Sequence, residues 1–225
     1  MQSDKKITLV LDSSSAPLTA AISAGGRVYS GKKSGIKQEE YLFTMLKKLL
    51  AKAGCSLNDV NNFFFIKGPG RFTGIRISIT LASMLAEITG THIASASVFD
   101  ILKYQAEKSA AYKKWKAANP GGVIAVITHA FRDEYFIAVY DGNQQPQWLA
   151  SDALLARLNA YDKPLFIVGR DAEKILPAKF AVAPAALNKV QPRAMLAFAA
   201  AAPPPRADVL EPLYLKPARF ELGNK

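Results

Sequence analysis

The apolar positions along the chain predict two successive groups of short strands and helices. In the first group three strands precede a helix, and Gly25-Gly26 predicts a tight hairpin between the second and third strands. The nearly all-apolar run Asn62–Lys67 is typical of a strand buried on both faces. The first half is therefore predicted to contain strands at Ile7–Asp12, Leu18–Ala24, Arg27–Lys33, Asn62–Lys67 and His92–Ser95, and helices at Gln38–Ala53 and Gly74–Thr89.

The second half of the chain repeats this order of elements. It is predicted to contain strands at Gly122–Thr128, Glu134–Asp141, Gln147–Ala150 and Leu165–Val168, with helices at Asp152–Leu158, after Gly169 and at Arg193–Ala202. One long helix, Asp100–Ala118, would join the halves. Three strands followed by helix, strand and helix, twice in one chain, is the order of the actin-like (ASKHA, ribonuclease-H-like) two-lobe α/β fold. We therefore predict an N-terminal lobe at residues 1–103 and a smaller C-terminal lobe at residues 104–225.

The composition indicates how large a core the chain can form and in which compartment we expect it. The chain has 225 residues, half of them hydrophobic, so it can bury a substantial core. A single cysteine excludes an internal disulfide and is typical of a reducing compartment, which leads us to expect a cytoplasmic protein. The polar start and the short apolar run after it do not predict a signal peptide, and no window resembles the roughly 20 apolar residues of a spanning helix.

The excess of positive charge favours binding to a polyanion but does not identify which one. Lysine and arginine outnumber aspartate and glutamate by 29 to 18, giving a formal net charge of +11. Five lysines crowd the predicted linking helix and its exit, and they leave two interpretations open: a solvated face that keeps the protein soluble, or a set of phosphate contacts. These are Lys103, Lys108, Lys113, Lys114 and Lys116.

A glycine-rich loop, Gly68–Gly74, connects the most apolar strand to the second helix. Its glycines let the backbone bend and expose helix N–H groups, as in anion sites, or they simply permit close packing of helix on sheet. The loop lacks the Gly-Lys-Ser/Thr of a P-loop. Together with the turn after the first strand it supplies the candidate nucleotide- or anion-binding residues, which are Asp12, Ser13, Ser14, Gly68, Gly70, Arg71, Thr73 and Gly74.

Residues for catalysis are not indicated. An actin-like phosphate hairpin needs Asp, Gly and Ser/Thr in order, but Ser14 stands at the glycine place and would hinder close approach of a phosphate. Ser14 also lacks the G-x-S-x-G context of a hydrolase nucleophile. His92 and His129 do not form an i, i+4 metal pair, and each is predicted to be an ordinary strand histidine. We expect no catalytic residue and no bound metal.

The two helices of the first half carry more apolar surface than one sheet can cover. The apolar arc of Gln38–Ala53 spans roughly 200°, twice the usual minimum, and only Arg76 and Glu87 are charged across Ile75–Thr89. Part of this excess is explained if one helix shields the other. The rest predicts a partner helix pair, with candidate interface residues Tyr41, Phe43, Met45, Leu46, Leu50, Ile77, Leu81, Met84 and Leu85.

Three motifs resemble those of the TsaB (YeaZ) family. The sequence of Gly68–Gly74, followed by I-R-I, is similar to that family's G-P-G-x-F-T-G loop. Leu11–Ser15 resembles its I-D-T-S, and Glu211–Lys216 resembles its terminal E-P-x-Y-L-R. Residues 7–100 match well, whereas 101–210 match mainly in element order. Three positions depart from the family: Arg71 replaces Ser, Lys37 replaces His, and His129-Ala130-Phe131 replaces D-A-R.

The resemblance implies a non-catalytic subunit of the complex that forms N6-threonylcarbamoyladenosine at position 37 of tRNA. Such a subunit binds the catalytic paralogue TsaD through the two helices, works with the ATPase TsaE, pairs with itself when TsaD is absent, and meets tRNA through the complex. The resemblance implies no membrane contact and no cofactor held stably by the chain alone, and it leaves open whether ATP or ADP binds at the interface of the complex.

Two other functions remain as alternatives at this point. The first is a free-standing actin-like ATPase or kinase that uses Asp12 and the glycine loop. The second is a ribonuclease-H-like nuclease, which would need clustered carboxylates for two metal ions. Asp12 has no acidic partner among the predicted strands of the first half, which disfavours the nuclease.

Overall fold

The computed structural model describes residues 6–35, 38–142, 145–170, 175–201 and 209–216. The strands are β1 Thr8–Asp12, β2 Leu18–Ala24, β3 Arg27–Lys33, β4 Asn62–Ile66, β5 His92–Ala96, β6 Val123–Phe131, β7 Glu134–Val139, β8 Gln147–Ala150, β9 Leu165–Val168 and β10 Ala181–Val182. The α-helices are α1 Leu42–Ala53, α2 Phe72–Thr89, α3 Val98–Glu107, α4 Ala110–Ala118, α5 Ser151–Asn159 and α6 Pro192–Ala201. Short 3₁₀ helices lie at Gln38–Tyr41, Leu57–Asp59 and Ala185–Leu187.

The strands form two five-stranded sheets with the same internal order. The first runs β3-β2-β1-β4-β5 and the second runs β8-β7-β6-β9-β10. In each, the first strand pairs antiparallel with its hairpin partner and parallel with the fourth strand. The predicted repeat is therefore confirmed. Strand β10 was not predicted, because two residues are too few to show a period.

Two compact units divide the chain differently from the lobes predicted at residues 1–103 and 104–225. The first unit comprises Met1–Val98 and Gln191–Leu213, and the second comprises Phe99–Val190 and Tyr214–Lys225. Helix α6 lies in the first unit because it packs on β1, β2 and β4, where the rings of Phe64 and Phe198 are 5.8 Å apart. The pattern of α6 shows that one face is apolar but not which sheet covers it.

In the first unit, α1 and α2 lie over one face of the sheet and enclose a core of aliphatic and phenylalanine side chains, including Leu9, Phe63 and Phe65. Both helices end at a glycine with positive φ, Gly54 at 69° and Gly90 at 66°, directly after the last residue predicted for each helix. Their starts differ from the prediction: residues 38–41 form a 3₁₀ turn ahead of α1, and α2 begins at Phe72 rather than Gly74.

The single helix predicted at Asp100–Ala118 is two helices, α3 and α4. The side chain of Ser109 accepts a hydrogen bond of 3.1 Å from the backbone N–H of Tyr112, so Ser109 is the N-cap of α4. Serine competes with the helical backbone for such bonds, which explains the break. The short helix predicted after Gly169 falls on residues 171–174, which lie outside the described residues, as do residues 202–208 and Lys37.

Helix α2 is long and apolar enough to cross a membrane by length and composition, and it is the one such helix found among the described residues. Only a third of it is buried within the protein. A helix that packs one side on a sheet core passes the same test, so this property is weak evidence for a membrane segment.

Candidate functional site

The turn after β1 and the glycine loop lie in direct contact. The hydroxyl of Ser13 donates to the carbonyl oxygen of Gly74 at 2.6 Å, and the N–H of Arg71 donates to the carbonyl oxygen of Ser14 at 2.7 Å. A Cβ on Gly74 would lie 1.9 Å from the Ser13 carbonyl oxygen, and one on Gly70 would lie 2.2 Å from that of Ser14. The glycines therefore admit a neighbouring segment of the same chain, and the geometry favours the packing interpretation of the loop.

The carboxylate of Asp12 is buried and bonded within its own turn. Its Oδ1 accepts from the N–H of Ser14 at 2.9 Å and from the Ser14 hydroxyl at 2.7 Å, and its Oδ2 accepts from the Ser15 hydroxyl at 2.7 Å. Burial raises the pKa of Asp12, while the bonds from Ser14 and Ser15 act in the opposite direction. Both oxygens of this carboxylate already have protein donors.

The structure brings all eight candidate anion-binding residues to one corner of the first unit. Gly68 has a φ of 119° and lies against the carbonyl of Leu213. The N–H of Leu213 donates to the carbonyl oxygen of Lys67 at 2.8 Å. Arg71 and Thr73 are exposed at the start of α2, whereas Asp12, Ser13 and Ser14 are buried. The buried polar groups are thus committed to contacts within the chain.

The two histidines lie on different strands, His129 on β6 and His92 on β5. The Nε2 of His129 lies 2.5 Å from the carbonyl oxygen of Arg132, and its ring packs 5.4 Å from the ring of Tyr135 at the end of the β6–β7 hairpin. His92 is exposed at the start of β5. Within the described part of the chain, no three His, Cys, Asp or Glu side chains are grouped closely enough to hold a metal ion.

The outer side of α1 and α2, together with the turn before α1, exposes a set of large apolar side chains that we call the α1–α2 face. These are Tyr41 at 44%, Phe43 at 66%, Phe72 at 53%, Met84 at 50% and Ile88 at 73% exposure. A groove of about 420 Å³ crosses the face. Its walls are formed by Phe43, Phe72, Thr73, Arg76, Ile77, Thr80, Leu81 and Met84.

The residues of the predicted interface are exposed to different degrees. Leu46, Leu81 and Leu85 are buried in the core, although Leu81 also lines the groove. Met45, Leu50 and Ile77 are half-buried and pack on the same core. The helical period shows in which direction the apolar side of each helix points. It does not show how much of that side the sheet covers.

Two of the most exposed apolar residues, Phe72 and Ile88, were absent from the predicted interface. They stand at the ends of an i+4 row that also contains Arg76, Thr80 and Met84, all exposed on α2. This spacing could have identified Phe72 and Ile88 from the sequence, because a row on the outer side of the helix cannot belong to its core stripe. The guanidinium of Arg76 lies 4.1 Å from the centroid of the Phe72 ring.

Two of the three lysines of α4 are available for contact with another molecule. Lys113 and Lys114 are exposed, whereas the ammonium of Lys116 donates to the carbonyl oxygen of Gly122 at 2.6 Å. Ahead of α4, Lys103 pairs with Glu107 at 2.7 Å. The basic surface is therefore smaller than the five lysines of the sequence suggested.

The repeated sheets of one strand order, with their helices, define an actin-like α/β protein. The family model described as "TsaD: tRNA N6-adenosine threonylcarbamoyltransferase" matches residues 33–143, which include α1 and α2. A tRNA threonylcarbamoyladenosine biosynthesis protein TsaB from Buchnera aphidicola subsp. Schizaphis graminum is 29% identical over 173 residues, covering 75% of this chain and 80% of that protein. The protein of the same name from Haemophilus influenzae is 30% identical over 137 residues, which cover 58% of this chain and 52% of that protein.

The solved structure of YeaZ from Pseudomonas aeruginosa superposes with a TM-score of 0.67 at 23% identity, covering 93% of this chain and all of that one. At that identity the superposition shows the fold. The sequence relatives and this shared fold together support assignment of the chain to the TsaB (YeaZ) family.

Proposed function

We propose that this chain is a non-catalytic subunit of the complex that forms N6-threonylcarbamoyladenosine at position 37 of tRNA. In this proposal it binds and activates a TsaD paralogue through the α1–α2 face, in the cytoplasm, and acts with the ATPase TsaE. The names of its relatives support the pathway, and the match of residues 33–143 to the TsaD family supports a paralogous relationship.

The observation that carries the proposal is the exposed apolar surface of α1 and α2. Phe43, Phe72, Met84 and Ile88 are each at least half exposed. Full burial of such a side chain contributes about 1.5–3 kcal/mol, and these four average about 60% exposure, so covering them would contribute roughly 4–7 kcal/mol before the costs of association. Large exposed apolar patches mark interaction sites, and two helices side by side suit a second helix pair.

The corner formed by Asp12 and the glycine loop supports a role without chemistry in this chain. Its carboxylate and the hydroxyls of Ser13 and Ser14 are bonded within the protein, and Gly70 and Gly74 have the β1–β2 turn against them. A phosphate would have to displace that turn. We therefore place any ATP or ADP of the complex at its interface with TsaD rather than in this corner.

The proposal is tested by co-purification with the TsaD homologue of the same cell. Phe43→Glu and Ile88→Glu should each abolish recovery of TsaD, because a glutamate buried in the interface lacks a counter-charge. Both side chains are exposed in the isolated chain, so the variants should keep the wild-type circular dichroism spectrum. Lys48→Glu is the matched control, since Lys48 is exposed on α1 but does not line the groove.

These substitutions avoid Leu50 and Leu85, two other residues of the predicted interface. Leu85 is only 2% exposed and Leu50 packs on the core, so charges there would unfold the chain instead of testing a surface. Full recovery of TsaD with both new variants would show that another surface binds it. As a second arm, ATP turnover by the isolated chain that is lost on Asp12→Ala would support the free-standing ATPase instead.

A further inference from the structure

The tip of the β6–β7 hairpin exposes an aromatic ring. Arg132 and Asp133 form the turn between the strands, and Phe131, the last residue of β6, is 56% exposed. The φ of Arg132 is 52°, and its carbonyl oxygen lies 2.5 Å from the Nε2 of His129, so a hydrogen bond restrains the turn. His129-Ala130-Phe131 is also where the sequence departs from the D-A-R of the TsaB family, so the ring does not follow from the family resemblance.

Two cations lie against the Phe131 ring. The guanidinium of Arg132 is 5.3 Å from the ring centroid, and the ammonium of Lys216 is 5.8 Å from it. A cation within roughly 6 Å of an aromatic centroid is attracted to the face of the ring. The ammonium of Lys216 also lies 5.0 Å from the centroid of the Trp148 ring, and all of these residues belong to the second unit. The hairpin tip therefore combines an exposed π surface with positive charge.

The two cations differ in how the chain compensates their charge. Lys216 forms an ion pair with Glu134, whereas Arg132 forms none with any residue that the structure describes. Asp133 is exposed next to Arg132 and carries the opposite charge. Arg132 is therefore the group at the tip that can bind an anion, and the exposed ring beside it can bind a planar apolar face. A nucleotide offers both, because its phosphate is joined to a base with two π faces.

We propose that the tip of the β6–β7 hairpin binds single-stranded RNA, with an unstacked base on the Phe131 ring and a neighbouring phosphate on the guanidinium of Arg132. An acidic peptide would use Arg132 but leave the ring without a partner, so the ring favours RNA. The exposed Lys113 and Lys114 belong to the same unit and add to the attraction of a polyanion. The proposal rests on the proposed function in expecting RNA near this chain, and it adds a site on the chain itself and the part of the RNA that this site takes.

Substitution of the ring tests the base contact. The purified full chain is titrated into fluorescein-labelled oligouridylate and into a labelled RNA duplex of the same length, and Kd is measured by fluorescence anisotropy at low salt. Phe131→Leu should weaken binding of oligouridylate at least about fivefold and leave the duplex within about twofold, because duplex bases are stacked on each other. Phe131→Trp restores an aromatic face and should bind oligouridylate within about twofold of the wild type.

A salt titration tests the phosphate contact. Arg132→Gln should flatten the dependence of log Kd on log salt concentration by about 0.7 on the single strand, because one phosphate contact is lost. Arg27→Gln is the matched control, since Arg27 is exposed beside the turn of the β2–β3 hairpin, and it should leave the slope unchanged.

The RNA site is refuted if the wild-type chain does not bind oligouridylate at low salt, or if Phe131→Leu binds it as the wild type does. An equal loss on the duplex also refutes it, because the attraction is then one of charge alone. Co-purification with TsaD separates these failures from those of the proposed function, since Phe131 lies outside the α1–α2 face. An unchanged RNA affinity in a variant that recovers TsaD refutes the RNA site alone. A selective loss of oligouridylate binding in a chain that never recovers TsaD supports the site and refutes the proposed partner.

Discussion

Substitution of Gly74 by alanine tests whether the glycine loop serves packing of the β1–β2 turn. The added Cβ would lie 1.9 Å from the carbonyl oxygen of Ser13 and 2.7 Å from its carbonyl carbon. An ordinary carbon–oxygen contact is about 3.3 Å, so the two segments must separate by roughly 1.4 Å. A shift of this size breaks both the hydroxyl bond from Ser13 to Gly74 and the neighbouring bond from Arg71 to Ser14.

The free-energy cost follows from these contacts. Two lost hydrogen bonds contribute about 1 kcal/mol each, and the overpacked site adds about 1–3 kcal/mol. Alanine is a better helix former than glycine by up to about 1 kcal/mol, which offsets part of the loss in the first turn of α2. We expect Gly74→Ala to lower the free energy of unfolding by about 2–4 kcal/mol, which for a chain of this size lowers Tm by roughly 5–12 °C.

Thermal unfolding followed by circular dichroism measures this effect. Gly121→Ala is the control, because a Cβ there has nothing within 4 Å and the backbone at Gly121 is not in the left-handed region. The control should unfold within about 1 °C of the wild type. If Gly74→Ala does the same, the loop must have room for a side chain, and the packing interpretation of its glycines would be wrong.

Two further predictions concern charge. The raised pKa of Asp12 means that the folded chain binds a proton more tightly than the unfolded chain, so this group lowers stability as pH rises from about 4 through its folded pKa. Asp12→Asn should therefore gain stability relative to the wild type between pH 4 and 7 in urea titrations, and a constant difference would contradict the assigned burial. Lys113→Glu/Lys114→Glu should weaken tRNA binding by the assembled complex and flatten its salt dependence by up to about 2 in log–log slope. An unchanged slope would leave only the solubility interpretation of these lysines, and Lys116 is excluded from the test because it bonds to Gly122.

Local rules were enough to predict most of the fold from the sequence. The apolar run at Asn62–Ile66 gave the buried strand β4, Gly25-Gly26 gave the hairpin, and Gly54 and Gly90 marked helix ends in the left-handed region. Each depends on a period or a backbone conformation that a few neighbouring residues decide. The repeated order of elements then indicated the actin-like class without any tertiary contact.

Only the tertiary structure shows what the glycines of the loop lie against. Ser13 and Gly74 are distant in the sequence, and nothing local shows that the carbonyl of one occupies the space beside the other. The same holds for the α1–α2 face. Leu85 and Ile88 are both apolar residues of α2, but the fold buries Leu85 and leaves Ile88 73% exposed. Burial depends on what a residue meets across the fold, because a helical period fixes directions around an axis but not the surface that covers them.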